Sequence, residues 1–283
     1  MTSPLLVFTT DFGLSDAYAG VMKGVALAIN PDLRMIDLTH QIMPQNILHG
    51  SFVLGVNNRF FPQDAIHVAV VDPGVGTPRR PVMLSTPWGR YVAPDNGLLS
   101  GVMAAYLPST PVVSNFVKLP PELTAVHLTD TRYWRHPVSQ TFHGRDVFTP
   151  VASHLSLGVA PEDLGDVIDS LFFLPMPYPA KEGGRIIGEI IFRDTYGNLI
   201  TNIPAEHFSR GAQVEVRIRS RTINGLSGTF NEVSRGDKGH GSERLIALVG
   251  SHGYLEIALP NGNAALLLEA GEGDAVSVTG AAG

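Results

Sequence analysis

Two apolar runs, Leu5-Leu6-Val7-Phe8 and Ile66-His67-Val68-Ala69-Val70-Val71, the second broken only by His67, are each closely followed by an aspartate: Asp11 in Thr9-Thr10-Asp11-Phe12-Gly13, and Asp72 in Asp72-Pro73-Gly74-Val75-Gly76. A strand without polar alternation has both faces buried, which implies a parallel sheet with helices on either side. Helical spacing follows the first run. Ala17, Val21, Val25, Ala28 and Ile29 form the predicted apolar stripe, Ser15 or Asp16 the predicted cap, and Asn30-Pro31 the stop. After Pro94-Asp95-Asn96-Gly97, the residues Leu98, Leu99, Val102, Met103 and Tyr106 mark another amphipathic helix. The first half therefore reads as an α/β domain with a central, mostly parallel sheet.

The chain has 283 residues, 44% of them hydrophobic, enough for one large domain or two ordinary ones. The break in composition falls at Leu174-Pro175-Met176-Pro177-Tyr178-Pro179 and Gly183-Gly184, where repeated proline favours a stiff, extended connector. This gives an N-terminal domain over 1–174, a Pro/Gly-rich linker over 175–183 and a C-terminal domain over 184–283. The latter holds short β-rich runs at 185–192, 214–218, 245–249, 254–259, 264–268 and 275–279, separated by Gly, Asn, Ser and Pro, as in a smaller all-β, barrel-like domain. The stretch 219–243 is expected to be a mobile loop or hairpin.

Charge and composition narrow the function. A formal charge of −6, from 26 acidic and 20 basic side chains, offers no electrostatic footprint for a nucleic acid. The absence of cysteine removes disulfides, thiolate metal sites and a thiol nucleophile. Met1 to Phe8 has no basic n-region and no long h-region, and no apolar run approaches 18 residues, so no membrane partner is expected and a cytoplasmic location is the default expectation.

Ligands of open α/β sheets sit at the carboxyl ends of strands, where Asp11 and Asp72 are expected. For either one alone a turn or cap residue is the plainer reading, and the two together shift the balance toward a site. Arg79 and Arg80 lie close enough along the glycine-rich turn for one guanidinium to fold back onto Asp72, with the choice between them open. Thr141-Phe142-His143-Gly144-Arg145-Asp146 packs an imidazole, a guanidinium and a carboxylate beside a glycine; a buried histidine and a local Arg145–Asp146 ion pair are the plainer reading. The other histidines, His40, His49 and His67 among them, lack metal-ligand spacing. In the second domain, Asp194-Thr195-Tyr196-Gly197-Asn198 offers a ring to stack on a flat ligand and an amide suited to a purine edge, or simply a hairpin turn.

Together these blocks resemble the S-adenosylmethionine hydroxide adenosyltransferase family, hydrolase relatives of the fluorinase and chlorinase enzymes. The resemblance spans nearly the whole chain. It is carried by Thr9-Thr10-Asp11-Phe12-Gly13, Val71-Asp72-Pro73-Gly74-Val75-Gly76-Thr77, Pro94-Asp95-Asn96-Gly97, Thr141-Phe142-His143-Gly144-Arg145-Asp146, Tyr196-Gly197-Asn198-Leu199-Ile200-Thr201-Asn202, and Gly253-Tyr254-Leu255-Glu256-Ile257-Ala258 with Asn263-Ala264-Ala265. It implies hydrolysis of S-adenosyl-L-methionine to adenosine and L-methionine without a cofactor or metal, by a homotrimer with active sites at subunit interfaces. It places the water-activating trio on Asp72, Arg79 and His143, and the ribose diol on Asp11. By the same resemblance Asp194 takes the methionine ammonium, Tyr196 stacks on adenine, Asn198 and Ala264 meet the purine edge, and Ser251 and Glu256 complete the contacts.

Three other readings stay open on the residues alone. One is halogenase-like displacement on the same substrate. Another is a metal-dependent phosphoesterase, with Asp11, Asp72, Asp95, His143 and Asp146 as an oxygen-rich site. The third is a nucleoside-binding protein without catalysis.

Overall fold

The computed structural model describes residues 3–209, 213–230 and 244–280. The chain divides into two compact units, Met1–Pro175 and Met176–Gly283.

The first unit is built on strands β1 (Leu5–Thr10), β2 (Arg34–Thr39), β3 (Ile66–Val70), β4 (Pro81–Thr86), β5 (Gly89–Pro94), β6 (Asn115–Lys118), β7 (Thr124–His127), β8 (Asp166–Ile168) and β9 (Ser170–Phe173). Its helices are α1 (Tyr18–Ile29), α2 (Ile47–Asn57), α3 (Ser100–Met103) and α4 (Thr149–Ser156). Seven strands form one sheet in the order β2-β1-β3-β5-β4-β7-β8, and β6 pairs with β9 separately. The β1–β2, β1–β3 and β3–β5 pairs are parallel and the rest antiparallel, so β1, β2, β3, β5 and β7 run one way and β4 and β8 the other.

Both faces of this sheet are covered, as the continuous apolar runs require. Alternate side chains of β3 divide between two cores: Ile66, Val68 and Val70 pack with Met22 of α1 and Val151 of α4, whereas Ala69 packs with Leu54 of α2 and Val102 of α3. Helix α1 differs from the expected pattern. No side chain caps it; Ala17 occupies the cap position, and the buried residues are Ala19, Met22 and Ala26 while Val21 stays exposed. The helix is apolar around most of its circumference, so hydrophobic spacing fixed that it was helical without fixing its inward face.

The second unit contains β10 (Ala180–Glu182), β11 (Arg185–Arg193), β12 (Leu199–Pro204), β13 (Glu215–Ile218), β14 (Arg221–Asn224), β15 (Ile246–Val249), β16 (Tyr254–Ala258), α5 (Ala264–Leu268) and β17 (Ala275–Thr279). Its strands follow the order β14-β13-β17-β11-β12-β16-β15 with β10 beside β11, all antiparallel, around a core of Ile190, Leu199, Val216, Leu255, Ile257 and Val278. Of the stretch expected as linker, 180–182 forms β10. The stretch 219–243 opens as a hairpin, β13 and β14 joined across Arg219 and Ser220; 231–243 lies outside the described residues. The run 264–268, expected as a strand, is helix α5. Its Ala and Leu residues lack the β-branching that favours strands, and the Asn263 side chain accepts the Leu266 backbone N–H at 2.8 Å as an N-cap.

Candidate active site

The chain runs from β1 to β2 on one side of the sheet and later places β3 on the other side of β1, so the strand order reverses between β1 and β3. Such switch points open a crevice at the strands' carboxyl ends. Asp11 and Asp72 stand there, each just past its strand, and both line a hollow of about 410 Å³ with Gln45, Phe142 and His143.

The loop after β3 turns back on itself. The N–H of Val75 reaches the Asp72 carbonyl at 3.1 Å, and the Thr77 N–H and hydroxyl both reach the Gly74 carbonyl. Gly76 has φ +77, and a Cβ there would lie 2.5 Å from the Gln140 carbonyl oxygen, so the loop must carry glycine to pack against the segment leading into His143. This brings Arg79 over Asp72: Nε donates to both carboxylate oxygens at 3.0 Å and Nη2 to Oδ2. The same Nη2 lies 2.7 Å from His143 Nδ1. A guanidinium has donors only, so Nδ1 must be the unprotonated nitrogen, and the neutral ring carries its hydrogen on Nε2. Burial, and next the Arg79 charge, push the His143 pKa below its ordinary value, partly opposed by Asp72 and Asp146. The Asp72 and Arg79 side chains are 4% and 9% exposed, so the ion pair is sheltered from solvent screening.

Arg80 points elsewhere. Its Nε donates to Asp95 at 2.8 Å and its guanidinium lies 4.9 Å from the Phe116 ring centroid, which resolves the choice the sequence left open in favour of Arg79. Asp146 is fully buried, held by Arg145 through two 2.7 Å bonds and by the Ser139 N–H at 2.9 Å. Burial alone would raise its pKa, but the Arg145 hydrogen bond and the flanking charges bring it below the usual value. Thus Asp95 and Asp146 are tied to arginines rather than gathered with Asp11 and Asp72. Among the described residues no group of three or more His, Asp or Glu side chains is placed to hold a metal ion.

Asp11 accepts the Gln45 backbone N–H at 2.8 Å, and Gln45 has φ +64. A non-glycine residue in the left-handed region is uncommon and often marks a functional loop. Sequence reasoning missed Gln45, because neither its conformation nor its contact leaves a local signature. It also missed the rings of Phe12, Tyr18 and Phe142, which meet at centroid distances of 5.1 to 5.7 Å beside the same hollow.

A second hollow, of about 690 Å³, lies within the second unit, and Asp194, Tyr196, Asn198, Ser251 and Glu256 all line it. Asp194 holds its own turn: Oδ1 accepts the N–H groups of Tyr196 and Asn198, and Oδ2 accepts the Asn198 side-chain amide at 2.9 Å. Tyr196 is left 77% exposed. Glu256 is buried, with Oε2 3.2 Å from His252 Nε2. His252 belongs to the lining although its lone position in the sequence gave no signal. Ala264 is fully buried at the start of α5 and is not part of that lining.

The α/β unit thus carries an Asp–Arg–His line at a switch-point crevice, and the antiparallel unit carries a polar, partly aromatic hollow of its own. Residues 6–165 match the SAM hydroxide adenosyltransferase N-terminal domain and residues 188–277 its C-terminal domain. The chain belongs to the SAM hydroxide adenosyltransferase family. It is 35% identical to the (R)-S-adenosyl-L-methionine hydrolase of Salinispora tropica over 98% of each chain, and 36% identical to that of Thermus thermophilus over 94% of this chain and 96% of the relative. A fluorinase from an Actinoplanes strain is more distant, at 23% over 76% of this chain and 78% of its own. A crystal structure of an uncharacterized conserved protein from Thermotoga maritima superposes with a TM-score of 0.82 at 33% identity, covering 97% of this chain and 99% of the other. Among the described residues, no helix is long and apolar enough to cross a membrane.

Proposed function

We propose that this chain hydrolyses S-adenosyl-L-methionine, with water displacing methionine at C5′ to give adenosine and L-methionine. The observation that carries the reading is the Asp72–Arg79–His143 line, in which Asp72 and His143 line the switch-point hollow and Arg79 is bonded to both. The relatives' names support the substrate, and they point to its (R)-sulfonium epimer.

The sulfonium leaves with the electron pair of the C5′–S bond and departs as a neutral thioether, so no acid is needed at sulfur. The nucleophile is the harder part, because bulk water has a pKa of about 15.7. Any carboxylate is a far weaker base than hydroxide. Water therefore attacks as water, donating one hydrogen bond to Asp72 and accepting one from His143 Nε2–H, and gives up its proton to Asp72 and then to solvent as the new C–O bond makes its oxygen acidic. Arg79 holds the Asp72 carboxylate in place through Nε and Nη2 and keeps the His143 tautomer fixed. The gain is largely positional, since the oxygen must sit about 3–3.5 Å behind the carbon and opposite sulfur.

Asp11 accepts hydrogen bonds from the ribose diol. In the other hollow Tyr196 stacks on adenine and Asn198, one amide hydrogen already committed to Asp194, meets the purine edge. Asp194 attracts the ammonium with the lone pairs its turn leaves over, and Ser251 and Glu256 complete these contacts; Ala264, buried whole and outside the lining, has no surface to offer the purine. No cofactor or metal takes part. The working form is a homotrimer with active sites at subunit interfaces, in the cytoplasm.

Incubating the protein with each sulfonium epimer, with and without chelator, and resolving the products by chromatography tests the reading. Adenosine and methionine in equal amounts, chelator-independent and from the (R) epimer, are expected. Binding without turnover contradicts it in favour of a nucleoside-binding protein, chelator-sensitive turnover favours a metal enzyme, and a halogenated nucleoside in halide buffer favours a halogenase.

A further inference from the structure

The turn between β5 and α3, Pro94-Asp95-Asn96-Gly97, contributes no residue to the lining of the hollow that holds Asp72, yet it grips both ends of the loop that carries Asp72 and Arg79. At the near end, Asn96 Nδ2 donates to the Val71 carbonyl at 2.9 Å, one residue before Asp72. At the far end, one residue after Arg79, the Arg80 carbonyl accepts the Asp95 backbone N–H at 2.9 Å, and the Arg80 guanidinium donates to the Asp95 carboxylate through Nε at 2.8 Å and Nη2 at 2.5 Å.

The grip is itself anchored. Asp95, whose side chain is 3% exposed, accepts the Phe172 N–H at 2.8 Å on its other oxygen, and Arg80 Nη2 also reaches the Ser170 carbonyl at 3.0 Å. The Leu98 N–H donates to Asn96 Oδ1 at 3.1 Å, which turns the amide hydrogens toward Val71. Two adjacent side chains on one short turn thus set the span of the loop.

We propose that Asn96 and Asp95 are positioning residues for the hydrolysis: they fix the separation of Asp72 and Arg79 so that one guanidinium reaches both the carboxylate and His143. The proposal rests on the roles given above to Asp72, Arg79 and His143. Arg79 must satisfy two partners from a single side chain, so slack at either end of the loop breaks one contact, and misplacement of about 1 Å can cost on the order of 100-fold in rate.

The test pairs Asn96→Asp, which keeps the acceptor for Leu98 and removes the donor to Val71, with Asp95→Asn, which keeps the acceptor for Phe172 and removes the charge that holds Arg80. Readouts are kcat and KM for S-adenosylmethionine, the unfolding midpoint, and the His143 ring pKa by NMR. In both variants kcat is expected to fall roughly 10- to 100-fold with KM changed by less than about twofold. The His143 pKa is expected to rise toward its ordinary value as Arg79 moves off. In Asp95→Asn the lost negative charge acts alone in the opposite direction on an imidazole faced by Arg79, Asp72 and Asp146, so a rise there reports displaced Arg79. Asp130→Asn, which opens an exposed pair with Arg132, serves as the control that changes none of these. Wild-type kcat and His143 titration in both variants overturn the proposal, and so does a parallel fall of kcat, affinity and unfolding midpoint, which would mean structural support only. Should the wild-type protein turn over nothing, the proposed reaction has failed, and an unmoved His143 titration in Asp95→Asn would separately refute the clamp.

Discussion

Arg79 governs the chemistry of its neighbours. Its donors leave His143 Nδ1 no proton, and its charge, added to burial, makes protonation of that ring harder. The neutral ring is the form that keeps the line intact, so turnover is expected to be full at pH 7 and to fall as pH drops through the His143 pKa, which lies below the ordinary 6.5. A pH profile of kcat/KM with its acid limb below 6.5 agrees; a limb at or above 6.5 contradicts. The sequence displayed Asp72 and His143 as strand-end and loop residues but could not choose between adjacent arginines. That choice depends on Asp95, 15 residues further along, which draws Arg80 away. Gln45 was invisible for a related reason: it meets Asp11 through its backbone, and a backbone contact leaves no trace in residue type.

Strands were legible where burial wrote a run of Val, Ile and Leu into the chain, as in β1 and β3. Segment 264–268 misled because five apolar residues fit either a buried strand or a helical turn, and the deciding contacts are remote. Besides its Asn263 cap, α5 is pinned by the Ala265 N–H donating to the Gly197 carbonyl at 2.9 Å. Gly197 has φ +86, and a Cβ there would fall 2.1 Å from Asn263 Cγ. Replacing it by alanine therefore strains the turn and dislodges the cap at once. Gly197→Ala is expected to cost about 2 kcal/mol or more in urea unfolding, the sum of a disfavoured backbone and a lost N-cap. It should also weaken adenosine binding, measured by calorimetry, because Tyr196 and Asn198 flank it. Wild-type stability in this variant would show that the turn yields easily and that its geometry does not depend on glycine.

At the scale of the whole molecule, the α/β and antiparallel architectures were readable because their patterning differs: continuous apolar strands between helices in one unit, short runs between turn residues in the other. The sheet order was not readable, since it depends on which strands pair. That order puts Asp11 and Asp72 on either side of one crevice. The central claim is that solvent water, held by the Asp72–Arg79–His143 line, is the nucleophile. Single-turnover reaction of the (R)-sulfonium substrate in H2(18O), followed by mass spectrometry of both products, tests it most directly. The account predicts one 18O atom in adenosine, none in methionine, and a rate at least about 100-fold lower in Asp72→Asn with nucleoside affinity preserved. Adenosine formed without the label, or at the wild-type rate by Asp72→Asn, would contradict it.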